Sequence, residues 1–275
     1  MYRTAAAFLL ALAMATASSV YGQSPQPTAP KFAYDIVSIR PNNSGDGSTS
    51  MGPSANGYTA KNITVAWLIE YAYNIKMESL VSGLPSWATS DRLNLEARMD
   101  QDSAAAINKL SKEEKASEQR RMLQAMLADR FHLQVQHTQK EVPVYALVVA
   151  KGGTRLKPAD PNDPYGNGIK LPQGFPKSGV YQMTADGKFV AQGIPISMLA
   201  NQLATSVDRL VVDKTGLTGN YDFTMQWDQD PDPSKPDAGP SLFTALQEQL
   251  GLKLESTKDN VDALIVTHVE KASDN

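Results

Sequence analysis

The chain has 275 residues, with 26 basic and 29 acidic side chains and no cysteine. This mildly acidic balance argues against nucleic acid and against an anionic membrane surface as partners, because both need clustered positive charge. The lack of cysteine excludes disulfides, thiolate metal sites and a thiol nucleophile, and the chain is long enough to bury a core without them.

Residues 1–22 are typical of a secretory signal peptide. Arg3 provides a basic start, residues 5–17 form an apolar run too short for a stable membrane span, and Gly22 provides the small residue expected before the cleavage point. An uncleaved N-terminal anchor is the alternative interpretation. We therefore expect an exported protein, periplasmic or extracellular, with no membrane span after cleavage. Residues 23–31 are polar and rich in Pro, which predicts a disordered leader.

Residues 32–157 predict the first of two α+β halves. Aromatic and β-branched residues predict a strand at 32–39. Residues 42–57 are rich in Gly, Ser and Asn, so we expect a flexible surface loop there, the first place to look for function on a loop. The other predicted elements are a strand and helix at 58–74, a turn with Trp87 at 83–87, a strand at 92–99, a helix at 111–130 that begins with a capping box, and a hairpin of strands 131–138 and 142–150.

Residues 158–178, dense in Pro, Gly and Asp, predict a linker, and residues 179–275 predict the second half. A second polar linker is expected at 228–239. The other predicted elements are strands near 179–184 and 187–192, a helix at 195–206, a strand at 210–213, a turn at 214–220, a strand at 221–227, a helix opened by Pro240 and closed by Gly251, and strands near 252–257 and 262–269.

Two ungapped alignments indicate an internal repeat. Residues 58–74 align with 189–205, where each copy is a strand followed by an apolar helix stripe. Residues 123–138 align with 242–257. The expected fold is therefore α+β: a tandem duplication of a strand-helix-strand-strand-helix-strand-strand half, with mixed sheets. The halves share one core or form two lobes, and the patterns leave both open.

The second alignment places His132 opposite Gly251. Gly at the end of a helix commonly adopts the left-handed conformation, and His tolerates that conformation better than most other residues. We therefore predict that His132 occupies the same left-handed position at the end of its helix.

Short motifs in the chain do not add up to a catalytic site. Residues 213–216 (DKTG) match the phosphorylation motif of P-type ATPases and the KTG of serine β-lactamases. The first needs cytosolic ATP and membrane helices, and the second needs a Ser-x-x-Lys nucleophile that this sequence lacks. A turn between two strands is the expected structure.

No metal or cofactor is predicted. Asp228, Asp230 and Asp232 alternate like calcium ligands, but the later EF-hand positions lack the required residues, so a solvated linker is preferred to a weak calcium site. His132 and His137 are expected on opposite faces of one strand, which argues against a shared metal ion. A triad with a His is equally unsupported, and no catalytic, cofactor-binding or metal-binding residue is assigned.

An aromatic ligand platform could form from Trp67, Trp87, Tyr71 and Tyr73. Core packing is the preferred interpretation, since large aromatic side chains dominate protein cores.

Several long stretches together resemble one family. They are GLPSW at 83–87, residues 126–153 (MLADRFHLQVQHTQKEVPVYALVVAKGG), residues 211–223 (VVDKTGLTGNYDF) and residues 242–256 (LFTALQEQLGLKLES). They are similar to the exported, soil-associated proteins of acidobacteria, a domain family of unknown function that also occurs fused to BlaR-type metallopeptidase sensors. The GLPSW turn departs from the more usual double-Gly form. The resemblance covers about 32–273 and implies no established activity and no catalytic residues.

Three functions remain as hypotheses. The first is an exported, non-enzymatic module that binds an envelope protein or a cell-surface ligand. The second is an envelope hydrolase whose carboxylates Asp35, Asp91, Asp213 and Asp222 converge. The third is a secreted structural or colonisation protein. A cleft with two close carboxylates of raised pKa would favour the enzyme, and an exposed apolar patch or an open sheet edge would favour the binding module.

Overall fold

The computed structural model describes residues 30–160, 162–163, 166–170, 178–184, 188–228 and 239–272. The expected signal peptide, most of the leader, and Asp230 and Asp232 of the acidic linker lie outside these residues. Within them, no helix is long and apolar enough to cross a membrane.

The first part of the chain alternates short strands and helices up to one long strand. Its elements are β1 (Ile36–Pro41), β2 (Ser50–Ser54), β3 (Gly57–Ile63), α1 (Val65–Tyr73), a 3₁₀ turn (Glu78–Leu80), β4 (Val81–Ser82), α2 (Ser86–Ser90), β5 (Leu93–Arg98), α3 (Gln101–Ile107), α4 (Lys112–Phe131) and β6 (Gln134–Val149).

The second part follows a similar order and also ends in a long strand. Its elements are β7 (Lys157–Pro158), β8 (Val180–Met183), β9 (Lys188–Pro195), α5 (Ile196–Val207), β10 (Val211–Asp213), β11 (Asn220–Gln226), α6 (Leu242–Ala245) with a π-type turn at Leu246–Leu250, and β12 (Leu252–His268).

Three sheets organise these elements. The N-terminal sheet has the order β1-β5-β3-β2, and the C-terminal sheet has the order β7-β11-β9-β8. The central sheet, β10-β6-β12-β4, joins the two parts, because β4 pairs with β12 and β10 pairs with β6. Helices and mixed sheets together confirm the predicted α+β class. The boundaries of the two halves and the duplication stay predictions.

The central sheet corrects two predictions. β6 and β12 pair without interruption from Leu252 opposite Val149 to Val266 opposite Val135, so neither long strand breaks into two. Polar residues at 139–141 resemble a turn in sequence, but Glu141 lies opposite Asn260 and gains a ladder partner from a distant strand. The hairpin predicted at 139–141 was therefore wrong, as was the division of 252–269 into two strands.

The long strands contribute to two apolar cores. Val144 and Leu264 pack in a first core with the N-terminal sheet, α1 and α4. Leu147 and Leu252 pack in a second core with the C-terminal sheet, α5 and α6. The two cores thus lie along one shared pair of strands.

Local capping predictions are mostly confirmed. Thr64 Oγ1 accepts a hydrogen bond from Trp67 N at 3.3 Å, and Ser111 forms the predicted capping box with Glu114. His132 and Gly251 both end their helices in the left-handed region, with φ of 49° and 66°. The prediction for His132 is confirmed.

The start of α6 differs from the prediction. Ser241 Oγ accepts a hydrogen bond from Thr244 N at 3.2 Å, so the helix begins at Leu242 and Pro240 lies before the cap. A Ser hydroxyl can bind the orphan amides of a first turn, and Pro has no side-chain acceptor.

Strands β3 and β9 each contain a β-bulge just before the helix that follows, and the two bulges are alike. Asn62 and Gly193 both have positive φ, 55° and 63°, just before these helices. Asn62 N–H donates to Asn94 Oδ1 at 3.0 Å, and Gly193 N–H donates to Asp222 Oδ1 at 2.7 Å. The same backbone device therefore occurs in both parts.

The N-terminal region departs from the prediction in two places. β1 begins at Ile36, because the preceding segment packs on α4, where Phe32 N–H donates to the buried Glu118 carboxylate at 3.1 Å. The expected loop at 42–57 contains β2, which pairs with β3. Before β2, Asp46 Oδ2 forms an ion pair with Lys61 Nζ at 2.6 Å.

Candidate functional site

The four carboxylates of the hydrolase hypothesis lie apart. Asp35 lies at one end of the β1–β5 pair, where its N–H donates to Arg98 O at 2.8 Å, and Asp91 precedes the other end. These ends are about 20 Å apart for a strand of this length. Asp213 ends β10 in the central sheet, and Asp222 lies on β11 in the C-terminal sheet. The predicted convergence was wrong.

Each of these carboxylates that has a described contact supports the fold. Asp213 Oδ1 accepts hydrogen bonds from Thr215 N at 2.9 Å and Thr215 Oγ1 at 2.7 Å, which confirms that the DKTG string is a turn. Asp222 holds the Gly193 bulge, and Asp91 pairs with Lys271 at 2.8 Å.

The histidines are arranged differently from the prediction. His132 ends α4 and is not on the strand that carries His137. Glu270 contacts His132 Nδ1 at 3.2 Å and His268 Nε2 at 2.7 Å. The His268 hydrogen bond is the main cause that lowers the pKa of Glu270. Among the described residues, no group of His, Asp or Glu could hold a metal ion.

A small apolar pocket lies between the N-terminal sheet, α2 and the end of the chain, and we call it the Trp87 pocket. It has a volume of about 160 Å³. The buried side chains of Val65, Leu93 and Phe131 contribute to its apolar wall. Its full lining is Ile39, Pro41, Val65, Trp87, Asp91, Arg92, Leu93, Phe131, Lys271 and Ala272.

Trp87 lines this pocket, and the exposed Trp67 lies next to Arg92 of its lining. Lys271 Nζ lies 5.7 Å from the ring centre of Trp87, and Arg92 Cζ lies 5.0 Å from that of Trp67. Both distances are within the range of cation–π attraction. Trp67 is exposed on α1, with 37% of its surface accessible. The rim is thus aromatic and cationic around an apolar floor.

Asp91 is the single carboxylate among the described lining residues. Its hydrogen bond from Lys271 is the main cause that lowers its pKa. It is therefore ionised and paired at neutral pH, so it is poorly suited to act as a general acid or base.

Local backbone geometry positions Trp87. Gly83 has φ of 82°, and a Cβ at this position would collide with the backbone of Val266 on β12. Gly therefore lets the turn lie directly against β12. Pro85 precedes α2, which then carries Trp87 into the pocket. The GLPSW stretch and the end of α4 meet here.

The aromatic-platform hypothesis is partly supported. Trp87 lines the pocket, as a ligand platform would need, and Trp67 contacts the lining residue Arg92. Tyr71 and Tyr73 instead pack against the first core, where Tyr71 lies 5.6 Å from Tyr58. Core packing is thus correct for the tyrosines.

Sequence reasoning missed the cations of the site. Arg92 follows Trp87 closely, but its stacking on Trp67 has no local signature. Lys271 is distant in sequence from both tryptophans and reaches Trp87 because β12 ends beside α2. Only the pairing of β12 with β4 brings these residues together.

The comparisons with known proteins place the chain in a family. Residues 66–269 match the family described as "Protein of unknown function (DUF3738)". The match spans Trp67, Trp87 and Phe131. No curated protein and no solved structure matches the chain. The chain therefore belongs to DUF3738, a protein family of unknown function.

Proposed function

We propose that the protein is an exported, non-enzymatic binding module, and that its Trp87 pocket accepts one apolar side chain of a cell-envelope protein. The single observation that carries this proposal is the apolar pocket lined by Trp87, with Lys271 beside the Trp87 ring and with Arg92, which stacks on the neighbouring Trp67. Aromatic residues and Arg are enriched where proteins bind one another, and binding energy concentrates where an anchor side chain fills a pocket.

The size of the pocket favours a side chain over a free metabolite. Its volume of about 160 Å³ is below the roughly 300–1,000 Å³ of small-molecule sites. A cavity of about 150 Å³ holds one benzene ring. One aromatic or branched aliphatic side chain therefore fits.

Filling the pocket would stabilise a complex measurably. Burial of one large apolar side chain contributes about 1.5–3 kcal/mol. That range corresponds to roughly a 10- to 150-fold change in affinity. The contact is therefore an anchor within a larger interface.

The described residues give the hydrolase alternative less support. Burial, and secondarily the nearby Glu78, raises the pKa of Glu70 to about 6. Glu70 does not line the Trp87 pocket, whose own carboxylate has a lowered pKa. The raised pKa and the pocket thus occur at different places.

The resemblance supports the cellular part of the proposal. The sequence of residues 1–22 indicates export, and the stretches similar to the soil-associated proteins of acidobacteria imply the same for this chain. The resemblance also implies that related domains occur fused to BlaR-type sensors, which fits a domain that binds another protein. Mass spectrometry of the secreted or periplasmic protein should find an N-terminus at Gln23, and an intact N-terminus would contradict cleavage.

Photo-crosslinking in the native cell tests the binding surface. A photoreactive amino acid at the exposed Ser90, beside Trp87, should crosslink to one dominant envelope protein. The control position is Lys258, which is 67% exposed on β12 and about 30 Å along the strand from the pocket. It should not give the same adduct.

A variant that fills the pocket keeps the test independent of folding. Ala272→Trp adds a side chain at the rim without removing a core contact, so it should abolish the Ser90 adduct while the unfolding temperature stays unchanged. Identical adducts at Ser90 and Lys258, or an adduct that survives Ala272→Trp, would refute the proposed surface.

A further inference from the structure

The second part of the chain contains a larger groove between α5, the end of β11 and the start of α6. It has a volume of about 640 Å³, and we call it the Phe243 groove. This volume lies within the range of small-molecule sites, unlike that of the Trp87 pocket. We propose that the Phe243 groove binds a neutral saccharide of one or two sugar rings.

Aromatic side chains form one side of the groove. Phe243 is 44% exposed and meets the Tyr145 ring edge-on, with ring centres 5.6 Å apart. Arg209 Cζ lies 4.7 Å from the ring centre of Tyr145, and Arg209 Nη1 donates a hydrogen bond to Ser256 Oγ at 3.2 Å. Trp227 provides a third aromatic side chain in the lining. Amphipathic rings of this kind can stack on the apolar face of a sugar.

Uncharged polar side chains also line the groove. Gln202, Thr205 and Ser206 lie on α5, three and four residues apart, so they share one helix face. Ser241 adds a hydroxyl at the start of α6. Amide and hydroxyl groups both donate and accept hydrogen bonds, as sugar hydroxyls require.

A backbone hydrogen bond joins the end of β11 to the start of α6 at the edge of the groove. Asp228 N–H donates to Pro240 O at 2.9 Å, which closes the chain between β11 and α6. The groove is therefore bordered by described residues at the end of β11 and at the start of α6. Residues 229–238 lie outside them.

In the predicted duplication, the corresponding residues of the first part of the chain are buried. The alignment of Leu123 with Leu242 places Met122 opposite Ser241, and Met99 follows β5 as Trp227 follows β11. Met99 and Met122 are buried in a small core with α3. Under that predicted alignment, the residues that correspond to Trp227 and Ser241 are core methionines in the first part of the chain.

The charge of the lining favours a neutral sugar over anionic ligands of similar size. The described lining contains no Lys or Arg that would pair with a phosphate or a carboxylate. A purely apolar ligand would make no hydrogen bond with the Gln202 amide or the Ser206 hydroxyl, whereas a sugar can bond with both. Aromatic rings for stacking, together with neutral hydrogen-bonding groups, match a saccharide.

Binding of the full mature chain to an array of neutral and acidic oligosaccharides is the test. The array should cover hexose, pentose and N-acetylated sugars, and the tightest neutral oligosaccharide should then be titrated by calorimetry. Phe243→Ala should weaken this binding at least about tenfold, because the stacking face is lost.

Tyr181→Ala is the matched control, because Tyr181 is 43% exposed on β8, outside the groove. It should leave the affinity unchanged. Each substitution removes one aromatic contact, that of Phe243 with Tyr145 or that of Tyr181 with Phe189, so both variants should remain folded with similar unfolding temperatures. Three outcomes each overturn the proposal: no binding to any neutral sugar, tighter binding to acidic sugars, or equal effects of the two substitutions. None of them affects the Trp87 pocket proposal.

Discussion

Replacing Gly251 with Ala is expected to destabilise the protein by about 2–4 kcal/mol. The left-handed conformation costs an L-residue roughly 1–2 kcal/mol, and Gly251 has φ of 66°. A Cβ there would also overlap Gly153 O and lie 3.0 Å from Arg155 N and from Thr154 Cα.

The crowded segment cannot move without losing hydrogen bonds. Ala150 N–H donates to Gly251 O at 2.9 Å, and Arg155 N–H donates to Leu250 O at 2.8 Å. Each such bond contributes about 1 kcal/mol, so their partial loss supplies the rest of the expected effect. In a chain of this size, the unfolding temperature should fall by about 5–15 °C.

Urea unfolding followed by circular dichroism measures this change, and two substitutions serve as controls. Gly152→Ala should be neutral, because its Cβ would meet no atom within 4 Å. His132→Gly should stabilise by up to about 1 kcal/mol, since it relieves the equivalent left-handed residue and loses only the exposed contact with Glu270. A neutral Gly251→Ala, or equal losses in Gly251→Ala and Gly152→Ala, would refute the close packing inferred for this helix end.

Three further predictions concern other parts of the fold. Because the folded-state pKa of Glu70 is raised from about 4.5 to about 6, wild-type stability should fall as pH rises through this window. Glu70→Gln should therefore gain about 1 kcal/mol near pH 7, after allowance for partial exposure, and nothing near pH 4; an equal gain at both pH values in urea unfolding would contradict the assignment. Glu118→Ala removes a carboxylate that is 1% exposed and binds Phe32 N–H and Arg121. The free energy of unfolding should therefore fall by about 2–3 kcal/mol, and proteolysis near Phe32 should be faster. Glu96→Ala, at an exposed carboxylate, is the control, and equal stability of the two variants would argue against Glu118 as the anchor of the N-terminal segment. Amides at 139–141 should exchange with deuterium more slowly than those at 42–48, because residues 139–141 lie within the continuous β6–β12 ladder. Equally fast exchange in the two segments would instead favour a hairpin turn at 139–141.

The sequence alone determined the class of the fold and the ends of its main helices. Thr64 and Ser111 cap their helices as predicted, and His132 shares the left-handed conformation of Gly251. These features depend on groups a few residues apart, so local sterics and hydrogen bonding decide them.

The tertiary structure decided which strands pair and where a ligand could bind. Residues 139–141 form part of a strand only because 260–262 run beside them, and local polarity indicated a turn. Likewise, Lys271 reaches Trp87 because β12 crosses from the second part of the chain to β4 in the first. Such contacts join residues more than a hundred positions apart, and their energy comes from partners that no local pattern identifies.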